Sequence, residues 1–314
     1  MSENELVAAV VVTWNRRELL AEALDAIRSQ TRPPDRVIVV DNDSHDGTAA
    51  MVGARFPEIQ LVQLNRNLGG AGGFAVGLEH ALSGAFGAVW LMDDDTVPDE
   101  DALAEALAAR HGYAPGPPAL VASRVVWTDG RDHPMNTPRG KPGSSADERA
   151  AAAAVGCLPI RSASFVSILV DAERVRREGL PVADYFLWND DFEFTTRLIR
   201  GGAGLLCPTS TVTHKTKAFA DTDTDPGERF YYEVRNKVWV FSRSSGLSLA
   251  EKALYAGSTV RRWARTVRRA PSRRVTLDGL RRGLWDGACR GPRPTREVIA
   301  GATAHVTDSE HPGG

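Results

Sequence analysis

Ala88-Val89-Trp90-Leu91-Met92-Asp93-Asp94-Asp95 is the stretch on which the reading of the fold turns. Five apolar residues fit a short strand buried on both faces, as inside parallel α/β sheets. Charges at the C-terminal end of such a strand emerge where open α/β sheets gather their ligands. Asp side chains are short, hard and ionised at neutral pH. Two of them within one turn can hold Mg2+ or Mn2+ and leave positions for phosphate oxygens. Taken alone, the triplet fits a solvated acidic loop followed by a helix cap equally well, so its surroundings decide.

Upstream, Val7 to Thr13 reads as a β-branched strand ending in Thr13-Trp14-Asn15-Arg16, and Arg17 to Gln30 carries apolar residues at helical spacing. Arg36 to Val40 is a second strand that delivers Asp41, with a helix over Ala49 to Arg55 behind it. Ile59 to Leu64 is a third strand, followed by Asn65 to Gly73 and a helix from about Phe74 to Leu82. This alternation predicts an α/β fold with a mostly parallel sheet and right-handed crossovers. Downstream, Asp99 to Arg110 is a helix and Ala119 to Trp127 a strand, while Thr128 to Ala146 reads as a mobile loop suited to a substrate flap. Ala163 to Val170 is a strand and Ala172 to Glu178 a helix; Gly204 to Cys207 and Thr211 to Thr213 are two short strands leading to His214.

The 314 residues, 42% hydrophobic and 25% charged, suit one large domain with a tail. A net charge of −2 gives no global case for nucleic-acid binding. Three widely spaced cysteines fit neither a disulfide framework nor a thiolate cluster and suggest a reducing compartment. Met1 to Leu6 is acidic and polar, and no apolar run approaches the roughly 18 residues that span a bilayer. The expected location is cytoplasmic, with any membrane contact peripheral. From Glu251 to Arg296, thirteen Lys/Arg face three acids, which marks a basic C-terminal module.

Several side chains could carry chemistry. Asp41 ends the second strand at the same sheet edge as Thr13 and Asp93, where it can accept from a base N–H or a ribose hydroxyl. The Gly69 to Gly77 segment follows the third strand, not the first, which argues against a dinucleotide fingerprint. It fits either a loop close to a nucleotide or sugar, with Arg66 and Asn67 as polar contacts, or tight helix–strand packing. Asp190, Asp191 and Glu193 form a second acidic cluster, so one set can hold a metal while the other deprotonates a hydroxyl. Carboxylates placed at a helix N-terminus by the macrodipole would look the same. His214 is a candidate third metal ligand, and Arg235 could pair with phosphates or neutralise the acidic clusters.

Together, Thr13-Trp14-Asn15-Arg16, Val39-Val40-Asp41-Asn42, Asn67-Leu68-Gly69-Gly70, Asp93-Asp94-Asp95, Asp190-Asp191-Phe192-Glu193 and His214 resemble the inverting family 2 glycosyltransferases of GT-A fold. The resemblance covers about residues 6 to 245. The wording from Arg66 to Ala75, followed by Trp90 to Asp95, is most similar to cell-wall galactofuranosyltransferases, with rhamnosyltransferases next. It implies Mn2+ or Mg2+ held by Asp93, Asp95 and His214, with Asp94 beside the ribose or donor sugar. It implies Asp191 as the general base for an acceptor hydroxyl, and Asp190 and Trp188 as walls of the acceptor pocket. Thr13, Asn15, Arg16, Asp41, Arg66, Asn67, Gly69, Gly70 and Arg235 complete the expected substrate contacts. The donor is a nucleotide-diphosphate sugar, UDP-galactofuranose first, and the acceptor a glycan or polyprenyl-linked glycan. Asn189 separates Trp188 from the acidic pair, a departure from the family's usual order, and Trp127 to Ala154 matches no part of the pattern.

The expected organisation is a transferase domain over 1–245, a basic helical extension over 246–302 and a frayed tail over 303–314. The extension's helices, Ala250 to Val267 and Leu277 to Trp285, interleave apolar residues with arginines, as on an anionic membrane surface. A solvated cap or a contact between copies in a homo-oligomer fits the same pattern. Two rivals remain at this stage. A nucleotidyltransferase would need a Gly/Arg/Lys-rich triphosphate loop after the first strand, which is missing. A non-catalytic sugar- or lipid-binding module would not need both carboxylate clusters and His214.

Overall fold

A computed structural model describes residues 5–216, 219 and 226–307. The first four residues of the acidic N-terminal segment, Lys217 beyond His214 and the tail from 308 lie outside the described residues. The N-terminal half runs β1 (Val7–Thr13), α1 (Arg17–Arg28), β2 (Arg36–Asp41), α2 (Thr48–Arg55), β3 (Gln60–Leu64), α3 (Gly69–Leu82) and β4 (Ala88–Asp93). It continues with β5 (Thr96–Pro98), α4 (Ala102–Gly112), β6 (Leu120–Val126), β7 (Arg139–Gly140), α5 (Ala146–Ala154), β8 (Leu158–Ser162) and β9 (Ser167–Asp171). Then come α6 (Ala172–Glu178), α7 (Asp190–Arg200), β10 (Gly204–His214), α8 (Phe230–Ser242), α9 (Leu249–Arg269), α10 (Arg273–Cys289), α11 (Thr295–Ile299) and β11 (Thr303–Val306).

One mixed sheet carries the strands in the order β11-β3-β2-β1-β4-β9-β6-β10-β8-β7, with β5 on β10. Its three longest ladders, β1–β2, β1–β4 and β6–β10, are parallel. The period-2 alternation of β1 divides the core. Ala8, Val10 and Val12 join Phe74 and Leu78 of α3 on one face, while Val7, Ala9 and Val11 join Leu20, Leu24 and Ile27 of α1 on the other. Each such Val or Leu contributes roughly 1.5–3 kcal/mol by leaving water. Helices on both faces and ligand-facing strand ends along one edge make this the α/β architecture expected.

The glycine segment does two jobs. α3 begins at Gly69, five residues before the expected start, because Asn67 Oδ1 accepts from Gly69 N (2.7 Å) and Asn42 Oδ1 from Leu68 N (3.1 Å). Glycine's poor helix propensity is overridden by packing. A Cβ at Gly73 would sit 2.4 Å from Val12 Cγ1, and one at Gly77 2.3 Å from Val10 Cγ1, so α3 lies flat on the sheet only without them.

Four other elements differ from the sequence reading. The strand expected from Ala163 begins at Ser167, and β8 precedes it. The two short strands before His214 are one, β10, with a register shift between Cys207 and Thr211 where Pro208 has no N–H to donate. The 128–146 segment holds β7 and a single bridge from Val126 to Asp132. Residues 303–306, expected to fray, pair antiparallel with β3, which would otherwise present a bare sheet edge. Cys157 and Cys207 are buried free thiols: Cys157 Sγ donates to Val155 O (3.3 Å), and Cys207 Sγ lies 3.3 Å from Thr209 Oγ1.

α10 packs on α8 through Gly279, Gly283 and Gly287. Added Cβ atoms at Gly283 and Gly287 would lie 2.8 Å from Tyr231 O and 2.7 Å from Val238 Cβ. Gly283→Val therefore forces two backbones apart and is expected to cost about 1–3 kcal/mol. Chemical denaturation reads this as a lowered midpoint; an unchanged midpoint would mean that the two helices do not pack this closely. Among the described residues, no helix is long and apolar enough to cross a membrane.

Candidate active site

Parallel pairing of β1 and β4 places Val12 opposite Asp93, so both strands end side by side. Thr13 Oγ1 donates to Asp94 Oδ2 (2.8 Å), Trp14 N donates to the same oxygen (3.3 Å), and Arg16 Nη1 donates to Asp94 Oδ1 (3.0 Å) and to Asp95. Asp94 is thus held by the end of β1. β10 delivers His214 antiparallel to β5, opposite Thr96. Its Nε2 lies 3.0 Å from Asp95 Oδ1, and its Nδ1 lies 2.9 Å from Asn136 Oδ1. One ligand atom each from Asp93, Asp95 and His214 lie within 4.8 Å of one another.

The electrostatics divide the three carboxylates. Burial, reinforced by the Asp95 charge, pushes Asp93 up to about 7. Burial lifts Asp94 to about 6, with Arg16 only partly offsetting it. Burial would also raise Asp95, but its hydrogen bond and ion pair with His214, aided by Arg16, bring it below the usual carboxylate range. His214 is raised in return, because the Asp95 contact outweighs the burial that would lower it. The Asp95–His214 contact thus favours the charged form of both groups, next to the Asp93 carboxyl that burial raises to about 7.

The second acidic cluster rests on a strained turn. Phe186, Trp188 and Asn189 have φ of 65°, 65° and 67°, a region that side chains disfavour and that recurs at functional sites. Asn236 Nδ2 of α8 donates to the carbonyls of Tyr185 (3.0 Å), Leu187 (2.9 Å) and Trp188 (2.8 Å), and Asn189 Nδ2 donates to Glu233 Oε2 (2.8 Å). The turn presses on Gly69, where a Cβ would stand 2.0 Å from Phe186 O at a φ of +69°. Asp190 and Asp191 open α7 behind it. Burial pushes Asp190 well up, helped by the charges of Asp191 and Asp93. Asp191 is raised by burial in spite of the hydrogen bond from Phe192 N (2.6 Å) and the cations Lys237 and Arg139. Lys237, buried over the Phe192 ring at 4.1 Å, is lowered by burial to about 8.

A cleft of about 1080 Å³ opens at this edge. One wall is Thr13, Trp14, Arg16, Asn42, Asn67, Gly69, Gly70, Asp93, Asp94 and the 186–188 turn; the other is Arg229, Tyr231 and Tyr232, with Arg274, Asp278 and Arg282 of α10. Asp95, His214, Asp190 and Asp191 flank the cleft without lining it. Besides Asp190, four expected substrate contacts are off its wall. Asn15 Oδ1 accepts from His45 N (2.8 Å), and Asp41 is buried, accepting from Ser44 N (3.0 Å). Arg66 donates to the carbonyls of Val298 (3.0 Å) and Ala300 (3.3 Å). Arg235 donates to the carbonyls of Asp184 (2.8 Å) and Tyr185 (3.1 Å) and stacks 4.3 Å over Trp239. Asn15, Arg66 and Arg235 tie segments distant in sequence together, and Asp41 closes a local turn.

The sequence reading also missed contributors. Asn136, in the unplaced loop, fixes His214, and no local pattern announces it. The α10 wall did leave a signal: Gly279, Gly283 and Gly287 recur every four residues, the mark of a helix face made for close approach.

The profile of the family described as glycosyl transferase family 2 matches residues 8–138. The chain is 35% identical over 207 residues to galactofuranosyltransferase GlfT1 of Mycolicibacterium smegmatis, covering 64% of this chain and 68% of that protein. It is 33% identical over 255 residues to GlfT1 of Mycobacterium tuberculosis, covering 76% and 83%. Its fold matches S. aureus TarS 1–349 in complex with UDP-GlcNAc at a TM-score of 0.61 and 16% identity, covering 94% of this chain and 83% of that one. It also matches the mannosyltransferase PcManGT from Pyrobaculum calidifontis in complex with GDP-Man and Mn2+ at a TM-score of 0.51 and 20% identity, covering 94% and 78%. The parallel β1–β4 core, the Asp-tipped strand and these relatives converge: the chain belongs to glycosyltransferase family 2 and is a glycosyltransferase of GT-A fold.

Proposed function

We propose that this transferase moves galactofuranose from UDP-galactofuranose to a hydroxyl of a glycan or lipid-linked glycan, with inversion and with a divalent cation. The observation that carries the reading is the Asp93/Asp95/His214 triad beside the Asp190–Asp191 pair, in a chain whose relatives are named galactofuranosyltransferases. Two carboxylates and one imidazole whose donor atoms converge within 4.8 Å suit Mn2+ or Mg2+. Bound there, the ion would supply positive charge for the diphosphate leaving group.

The chain's own residues do the rest. Thr13 and Arg16 hold Asp94 at the donor side, and Gly69 and Gly70 let a ligand approach the backbone closely. Asp191 takes the proton of the acceptor hydroxyl. That oxygen attacks the anomeric carbon as the bond to the diphosphate breaks on the opposite face, so the configuration inverts. Trp188 and Asp190 shape the acceptor side. Residues 1–245 act as the transferase domain, and 246–302 as an extension whose α10 completes the second wall. Calorimetry with UDP-, dTDP- and GDP-sugars, with and without Mn2+, tests the donor, and NMR of the product's anomeric centre tests inversion. Mn2+-dependent binding of a dTDP or GDP sugar alone, or a retained configuration, would overturn the reading.

Asn136 extends the metal argument. By accepting from His214 Nδ1–H it leaves Nε2 as the ligating nitrogen. Asn136→Ala is expected to weaken Mn2+ binding about 10–100-fold, as lost outer-shell partners do. Titration of the Mn2+ electron-spin signal measures this without any substrate.

A further inference from the structure

α10 has three differently used sides. Successive residues advance about 100° around a helix. Gly279, Gly283 and Gly287 form the side sealed against α8. Arg274, Asp278 and Arg282 form an edge that lines the cleft. Leu277, Arg281 and Leu284 fall on the remaining side, and Trp285 stands where that side meets the cleft edge, one turn beyond Arg281. Leu277 is 50% exposed, Leu284 43% and Trp285 67%.

Such exposure is unusual for a tryptophan, and it is not isolated. Of the twelve large hydrophobics most exposed among the described residues, seven lie between Leu249 and Trp285. The same segment carries ten Lys/Arg against two acids. The acids of α10 are already engaged: Asp278 with Arg282 (3.4 Å), and Asp286 with Tyr231 Oη (2.8 Å) and Arg290 (3.7 Å). An apolar strip flanked by cations matches the boundary of an anionic bilayer, which offers acyl chains beneath negative headgroups. Trp suits the interfacial zone of a bilayer.

We propose that the free edge of α10, Leu277, Arg281, Leu284 and Trp285, docks on an anionic phospholipid bilayer and sets the cleft mouth against it. An acceptor anchored by a lipid then reaches the cleft from the membrane side. That consequence rests on the transferase reading, whereas docking itself does not. The test is sedimentation of the full chain with vesicles of phosphatidylcholine alone or mixed with phosphatidylglycerol, in the absence of any sugar. The variants are Leu284→Ser/Trp285→Ser and, separately, Arg281→Glu; none of these residues lines the cleft.

Wild type is expected to bind mixed vesicles at least roughly tenfold more tightly than neutral ones, with the difference shrinking at high salt. Each variant is expected to lose most of that binding while keeping its thermal midpoint and its turnover of a short water-soluble acceptor. Absence of wild-type binding, or equal binding by the variants, would overturn the proposal. So would variants that turn an oligomer into a monomer in analytical ultracentrifugation, since the strip would then belong to a second copy. Failure of sugar turnover in every protein with vesicle binding intact would count against the transferase reading alone.

Discussion

Asp191→Asn is expected to lower kcat by about 10²–10⁴-fold, the range lost with a general base, while donor and Mn2+ affinity hold. Asp191 belongs neither to the metal triad nor to the cleft wall, and the amide oxygen can still accept from Phe192 N. The stability readout separates this role from a helix-end role. Burial penalises the Asp191 charge and raises its pKa, so a neutral amide there should leave the thermal midpoint unchanged or higher. A carboxylate kept only for the helix macrodipole would behave in the opposite way. Its loss would cost about 0.3–1 kcal/mol of stability and leave kcat nearly intact. The pH profile adds a third readout. A base must be ionised to act, so with Mn2+ saturating at every pH, kcat/KM should rise with pH through an acid limb displaced above the ordinary carboxylate range, and Asp191→Asn should abolish that limb.

How far the fold was legible depended on where the determinants lay. β1, β2 and β4 announce themselves through unbroken β-branched and apolar runs, and charges or amides at their ends mark the ligand edge of the sheet. α3 was harder to place. Its first turns are glycines, whose helical state is imposed by Asn42, Asn67 and the flat surface of β1, all of which are tertiary. β10 read as two strands because Pro208 interrupts the pattern while the ladder to β6 continues on either side. The strand at Thr303 has no strong pattern of its own; it exists because β3 would otherwise be an uncovered edge.

The site shows the same division. Its metal triad was legible because only a few residue types suit a hard cation, and two of them sit at one strand end. The arginines were not. A guanidinium in a loop can serve a phosphate or a row of carbonyls equally well. The carbonyls that bind Arg66 lie more than two hundred residues along the chain. Asn136 was invisible for a related reason: its partner, His214, arrives from a different strand. The second wall was legible in principle, through the glycines of α10, but the arginines between them drew attention to charge and away from packing.

Asp93→Asn is expected to abolish Mn2+-dependent donor binding and to change how stability responds to pH. In the metal-free protein, removal from water, reinforced by Asp95, holds the Asp93 carboxyl at about 7, well above the ordinary carboxylate range. The folded state therefore keeps a proton that the unfolded chain releases across that window. Asp93's contribution to stability therefore falls as pH rises through that window and levels off above about 7. A cation in the triad needs the ionised carboxylate, and it needs His214 without its Nε2 proton. His214 is itself raised by its pairing with Asp95, so both protonations oppose binding in the same direction. Mn2+ affinity should climb at least about tenfold per pH unit below 7 and flatten above the two raised values. The amide variant cannot supply the charge. Metal-free, it should melt no lower than wild type at pH 8, where wild type carries the unfavourable carboxylate. It should gain little on adding Mn2+ at that pH, where wild type gains most. Thermal melts at pH 6 and pH 8, with and without Mn2+, decide the matter. A wild-type protein stabilised equally by Mn2+ at both pH values would show that Asp93 does not hold the cation. If Asp93→Asn kept the Mn2+ shift, the binding site would have to lie elsewhere than at the end of β4.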